Sequence, residues 1–155
     1  MLLYQLPDRR IEIRQVVLDF NGTIAMDGQL IPGVEERLLQ LASHVPLYIL
    51  TADTFGSAAE ACSHLPVKLT KVDPRAGGPD KERIVRALGA EYTAAVGNGV
   101  NDIEMLACAA LGLLVLGSEG ASPRALLQAD AVFVHINDAL DFLLKPKRLV
   151  ATLRP

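Results

Sequence analysis

Asp19-Phe20-Asn21-Gly22-Thr23 follows directly on the apolar run Val16-Val17-Leu18. Such a run reads as a strand buried on both faces. An ionisable side chain at its end, with a Gly-Thr turn next, is costly to bury unless it has a task. In open α/β sheets ligands gather at the carboxyl ends of the strands, so Asp19 stands where chemistry is done. Thr51 closes a second apolar run, Leu47-Tyr48-Ile49-Leu50. Lys81 lies in a helical segment after a third strand, and Asn98 to Asp102 follow a fourth, Ala94-Ala95-Val96. If these strands are parallel, a carboxylate, a hydroxyl, an ammonium and a second carboxylate converge on one edge. That set suits phosphoryl transfer. Asp19 can attack phosphorus as a nucleophile and form an aspartyl-phosphate. Thr51 would donate a hydrogen bond to a phosphoryl oxygen, and backbone N–H groups of the turn at 20–23 would cradle the others. Two carboxylates and a phosphate dianion outweigh one ammonium, so the balance needs a cation. Hard oxygen donors and phosphate favour Mg²⁺.

The elements that must position these residues alternate along the chain. Residues 2–6 and 11–15 flank a Pro7-Asp8-Arg9-Arg10 turn, and Ile11 and Ile13 alternate with Glu12 and Arg14, which predicts an N-terminal β-hairpin with one wet face. Asp27-Gly28 between two short apolar arms predicts a tight hairpin, a small flap over the strand ends. Val34, Leu38, Leu41 and Ala42 then recur at helical spacing. Strands are predicted at 47–51, 67–72, 94–96, 111–116 and 131–134. Helices are predicted at 57–62, from Asp80 as cap to Gly89 as stop, and at 103–109, 122–129 and 137–144. Residues 74–79 read as a Gly/Pro-rich loop, and Asp53 as a helix cap. Strands alternating with helices give an α/β fold, a doubly wound, Rossmann-like parallel sheet with no cap domain.

The chain has 155 residues, enough for one domain over 1–155. Half is apolar and 21% charged, so a sizeable core can be buried. A net charge of −3 without a basic cluster argues against nucleic acid as a partner. No leader-like segment and no apolar run of membrane-spanning length is present, so no membrane and a cytoplasmic location are expected. Cys62 and Cys108 lack metal-type spacing and read as buried reduced thiols. No role is expected of His44, His64 or His135, nor of Asp27 in the flap turn.

Asp19-Phe20-Asn21-Gly22-Thr23 resembles the first motif, Asp-x-Asp-Gly-Thr, of the haloacid dehalogenase superfamily. Thr51 at a strand end is similar to its second motif and Lys81 to its third. Gly97-Asn98-Gly99-Val100-Asn101-Asp102 is similar to the fourth, Gly-Asp-Gly-x-Asn-Asp. Four motifs in order over residues 16 to about 144 make the resemblance specific. The nearest flavour is the phosphorylation domain of P-type cation ATPases. Thr51-Ala52-Asp53 stands in for that branch's Thr-Gly-Asp, and Ala110-Leu111-Gly112-Leu113 followed by Ala129-Asp130-Ala131-Val132 is similar to the tail of that domain. The resemblance implies a stand-alone, capless relative with catalytic Asp19, Asn21, Thr51 and Lys81. It implies Mg²⁺ held by Asp19, Asn21 (through its backbone carbonyl), Asn98 and Asp102. The substrate would be a phosphorylated small molecule or a phosphoprotein, with a homo-oligomer covering the open site.

Two positions depart from the pattern. Family phosphatases carry an Asp two residues after the nucleophile, which protonates the leaving group and later activates water; here it is Asn21. An amide does neither, and such catalysis is worth about 10²–10⁴-fold. Asn98 stands where the fourth motif offers a ligating Asp, so the cation site has one anionic ligand fewer. Both departures leave a second reading open, a weak or inactive module that binds phosphate, metal or a partner. A third, a dehalogenase using Asp19 on carbon, wants a large cap that the sequence lacks.

Overall fold

Strand β3 (Gln15–Asp19) is the element around which the rest is wound; all five of its residues are buried. The computed structural model describes residues 1–52 and 56–155. Before β3 come β1 (Leu2–Gln5) and β2 (Arg10–Ile13), paired antiparallel as the expected hairpin. After it, β4 (Ala25–Met26) and β5 (Gln29–Leu30) form the flap around Asp27 and Gly28, whose φ angles of 51° and 80° suit the tight turn. Helix α1 (Val34–Ala42) leads to β6 (Leu47–Thr51), and α2 (Ser57–Ala61) leads to β7 (Val67–Lys71). Helix α3 (Gly77–Leu88) crosses to β8 (Thr93–Gly97). A short 3-10 turn at Val100–Asp102 and α4 (Ile103–Cys108) lead to β9 (Leu111–Val115), and α5 (Pro123–Leu126) leads to β10 (Ala131–Phe133). Helices α6 (Ile136–Leu144) and α7 (Pro146–Leu153) follow.

Among the described residues the main sheet has the order β10-β9-β8-β3-β6-β7, and every pairing in it is parallel. The chain winds outward from β3 to β7, then returns to the other side of β3 and winds out to β10. This is the doubly wound α/β fold expected. The reversal leaves a crevice at the carboxyl end of β3, where ligands bind in such sheets. Side-chain alternation sends Val16 and Leu18 to one face and Val17 to the other. The first face is covered by α1, α2, α6, α7 and the N-terminal hairpin, the second by α3, α4 and α5. Each large apolar side chain buried this way stabilises by about 1.5–3 kcal/mol. Tyr4 joins the hairpin to the core, its hydroxyl donating to the Leu143 carbonyl at 2.7 Å.

Three details differ from the sequence reading. Helix α3 begins at Gly77, so Gly77-Gly78-Pro79 form its first turn rather than a loop. Asp80 is therefore not the cap; it accepts from the Asp73 N–H at 3.0 Å and pairs with Arg83 at 2.7 Å. Helix α7 was not expected; Pro146 stands at its first position, where proline is well tolerated. His135, expected to be idle, caps α6 by accepting from the Asn137 N–H at 3.1 Å. Cys62 and Cys108 are free thiols. The cap expected at Asp53 lies outside the described residues. Among the described residues no helix is long and apolar enough to cross a membrane.

An ion pair clasps α1 to α6. Arg37 Nε meets Asp141 Oδ1 at 2.9 Å, and Lys145 meets the other oxygen at 3.1 Å. Burial pushes the Asp141 carboxyl up, but hydrogen bonds from Arg37 and Lys145 outweigh this and hold it below its ordinary value. Arg37→Ala is expected to lower the unfolding free energy at pH 7 by about 1–2 kcal/mol in urea melts. A carboxyl depressed in the folded state stabilises above the ordinary value of 3.8, and that contribution is lost as the pH falls below it. The gap between wild type and variant should therefore close in acid; a gap unchanged at about pH 3 would contradict this assignment.

Candidate active site

The ends of β3 and β6, helix α3 and the loop after β8 deliver the chemistry-bearing residues to one edge of the sheet. Asp19 is the last residue of β3, and Thr51, one residue beyond Asp19's register partner Leu50, is the last of β6. Both are 7% exposed. Lys81 sits in the second turn of α3, 0% exposed. Its ammonium lies 2.6 Å from Asp19 Oδ1 and 2.7 Å from Asp102 Oδ1. Of the cations that compete with Lys81 in sequence, Lys71 is exposed on β7 and Arg83 is engaged with Asp80. The sheet thus brings Asp19, Lys81 and Asp102 into one buried ion triad, with Thr51 beside it.

Asp102 holds the fourth-motif loop as well as Lys81. Its Oδ2 accepts from the backbone N–H groups of Asn98 (2.9 Å) and Gly99 (3.0 Å). A Cβ on Gly97 would meet the Asp102 carboxyl carbon at 2.5 Å, so only glycine admits this approach. Both oxygens of Asp102 thus accept hydrogen bonds within the protein, one from Lys81 and one from the Asn98 and Gly99 amides. Asn98 lies nearer the nucleophile. The Thr23 hydroxyl is 3.0 Å from Asp19 Oδ2 and 3.3 Å from Asn98 Oδ1, linking the first and fourth motifs. Thr23 is fully buried. The Gly-Thr pair was visible in sequence, but nothing in it assigned the hydroxyl to the nucleophile.

Asn21 turns outward. Its side chain is exposed, and its Oδ1 accepts from the Gly28 N–H at 3.0 Å, pinning the flap turn to the nucleophile loop. Sequence reasoning missed this anchor, since the hairpin's docking depends on a long-range bond. The expected phosphate cradle is also narrower than read. The Gly22 N–H donates to the Ala25 carbonyl and the Thr23 N–H to the Phe20 carbonyl, so these two of the turn's four amides are engaged within the protein. The turn spends these donors on its own tight shape.

Burial pushes the Asp19 carboxyl up to about 6, and the Asp102 charge adds to it; Lys81 and the Thr23 hydroxyl pull the other way. Burial alone would lower the Lys81 ammonium, but Asp19 and Asp102 hold it above its ordinary value. The triad therefore carries one negative charge too many for a buried site. Because Asp19 binds its proton more tightly folded than unfolded, stability should fall as the pH rises from 3.8 to about 6 and stay level above. Without added divalent cation, Asp19→Asn is expected to be more stable than wild type at pH 7.5 by about 1–3 kcal/mol. Urea melts should show that difference opening between pH 4 and 6; parallel stability curves would contradict the assignment.

A family model for haloacid dehalogenase-like hydrolases matches residues 3–110. Two proteins of Methanocaldococcus jannaschii are similar to parts of the chain. MJ0073 is 52% identical over 60 residues, which are 39% of this chain and 64% of that protein, so less than two thirds of the relative is spanned. MJ0072 is 54% identical over 39 residues, 25% of this chain and 89% of that protein. Among solved structures, the cobalt-bound deoxy-D-mannose-octulosonate 8-phosphate phosphatase of Haemophilus influenzae superposes with a TM-score of 0.71 at 12% identity, covering 93% of this chain and 94% of that one. The 3-deoxy-D-manno-octulosonate 8-phosphate phosphatase of Moraxella catarrhalis, in complex with magnesium ion, phosphate ion and KDO, gives 0.68 at 16% identity, with 92% and 94% covered. An apo phosphoserine phosphatase gives 0.68 at 15% identity, with 85% and 100% covered. These likenesses carry the fold. With the family model running across both the first and fourth motif loops, the chain belongs to the haloacid dehalogenase-like hydrolases.

Proposed function

We propose that this chain is a slow, Mg²⁺-dependent phosphohydrolase or phosphotransferase that works through an aspartyl-phosphate on Asp19. The observation that carries the reading is the buried Lys81 ammonium held between Asp19 and Asp102 at 2.6 and 2.7 Å. An ammonium there keeps the nucleophile ionised and can follow the charge onto a phosphoryl oxygen. Thr51, at the next strand end, would donate to another. Attack by an Asp19 oxygen on phosphorus forms the P–O bond to the carboxylate and breaks the ester bond, and the leaving alcohol takes its proton from water. A second water then attacks phosphorus, releasing phosphate and restoring the carboxylate. Where an alcohol replaces that water, the same intermediate transfers the group.

The donor set fits a hard cation: the Asp19 carboxylate, the Asn21 backbone carbonyl and the Asn98 Oδ1, which already faces Thr23 and Asp19. Asp102, the fourth ligand of the sequence reading, is also the counter-charge to Lys81. When bound, Mg²⁺ would neutralise the phosphoryl oxygens as charge develops. A structural neighbour solved with magnesium and phosphate supports this choice of ion. Substrates would be phosphomonoesters of small molecules or proteins, since among the described residues the site is open apart from the flap. A hollow of about 370 Å³ beside the flap, bordered by Met26, Leu30, Ile31, Val115 and His135, offers room for a small leaving group. A second copy of the chain would close the open side. Asn21 and Asn98 favour one other reading, a binding module that keeps the site without turnover.

Phosphate release from p-nitrophenyl phosphate with Mg²⁺ separates the two. The wild type is expected to turn over slowly, and Asp19→Asn not at all; no release above that control, at high enzyme concentration, supports the module. Asn21→Asp keeps an acceptor for the Gly28 N–H and adds a proton-transfer oxygen. Steady-state turnover should then rise by about 10–100-fold. Unchanged kinetics would mean that another group already supplies the acid and base.

A further inference from the structure

The segment after β9 docks on the first and fourth motif loops. Asn98 Nδ2 donates to the Gly120 carbonyl at 3.0 Å, and the Ser122 N–H donates to the Asn98 carbonyl at 2.9 Å. Gly117 packs so closely on the nucleophile turn that a Cβ on it would lie 3.4 Å from the Gly22 carbonyl. This docking carries Glu119 against the nucleophile turn. Its Oε2 lies 2.4 Å from the point where a Gly22 Cβ would project, and Asn98 Nδ2 lies 2.7 Å from the same point. Gly22 has a φ of +82°, so the missing side chain is demanded by the backbone and leaves room for both groups.

Among the described residues no ion pair reaches Glu119, and the turn it stands against begins directly after Asp19. A carboxylate beside the turn that carries the nucleophile repels an incoming phosphate. The arrangement is favourable only with a cation between them. Asn98 occupies the position where a carboxylate would have supplied charge to that cation, and its side chain shares the space beside Gly22 with Glu119.

We propose that Glu119 supplies the negative charge that Asn98 lacks, holding the divalent cation directly or through one bound water. The carboxylate has in effect moved from the loop after β8 to the loop after β9, and Asn98 anchors the loop that delivers it. The inference rests on the cation-dependent reading above, which assigned no role to Glu119.

Calorimetric titration of the metal-free protein with Mg²⁺ tests it, on wild type, Glu119→Gln, Asn98→Asp and the double variant. Glu119→Gln should weaken Mg²⁺ binding by about 10-fold or more. Asn98→Asp placed on Glu119→Gln should restore the affinity, because either carboxylate serves. Urea melts in EDTA should leave Glu119→Gln as stable as wild type, since the side chain is exposed. A Glu119→Gln protein that binds Mg²⁺ as wild type does overturns the role of Glu119 and leaves the cation site standing. A double variant as weak as Glu119→Gln also overturns it. A wild type that binds no Mg²⁺ at millimolar concentration overturns both this inference and the reading beneath it.

Discussion

A fully buried ammonium between two carboxylates is the constraint on which this molecule is organised. Removing the ammonium from such a cluster costs about 3–5 kcal/mol, because the two buried carboxylates lose their compensation. The three groups come from three separate elements: β3, the first half of α3 and the loop after β8. Their convergence requires the parallel pairing of β8 with β3 and the crossing of α3 behind both. The winding of the sheet and the chemistry of the site are therefore one problem. Glycine at 97 lets the Asp102 carboxyl come close enough to hold both the loop and Lys81. The cluster keeps a surplus negative charge, visible in the raised proton affinity of Asp19. An apolar replacement would be more stable; a charged one is poised to accept a cation and a phosphoryl group.

The surroundings of Asp19 show how the chain balances loss against gain. Asn21 gives up proton transfer and holds the flap through Gly28. The turn at 20–23 uses the Gly22 and Thr23 amides internally, so in the proposed function a phosphoryl group draws on Lys81, Thr51 and a cation as well as on the turn's remaining donors. In the proposed function such a site forms a phosphoenzyme more readily than it clears one. That kinetic imbalance suits a stored or transferred phosphoryl group better than fast hydrolysis.

Much of this was legible in the sequence. Val16-Val17-Leu18 ending in Asp19, and Leu47 to Leu50 ending in Thr51, announce buried parallel strands by their unbroken apolar runs. Strand alternation with helices then fixes which ends share an edge. Lys81 could be chosen over Lys71 and Arg83 from motif order, and its burial agrees. What the sequence hid was set by long-range contact. Asn21 bonding to Gly28 depends on how the hairpin folds back, and the full engagement of Asp102 depends on where Lys81 arrives from α3. Glu119 sits in a Gly-Ser-Glu-Gly stretch that reads as an ordinary turn. Only the docking of that loop onto Gly22 gives its carboxylate a setting. The early start of α3 and the existence of α7 were obscured by Gly77-Gly78-Pro79 and Pro146, residues that interrupt a helix inside but are accepted in its first turn.

The most direct test of the account is a crystal of the wild-type protein soaked with Mg²⁺ and beryllium fluoride, a mimic of a phosphoryl group on a carboxylate. The expected result is a beryllofluoride bonded to one Asp19 oxygen, with Lys81 and Thr51 on its fluorines and the cation beside it. Asp19 still closed on Lys81, with no adduct under saturating soak, would contradict the claim that this carboxylate is the nucleophile.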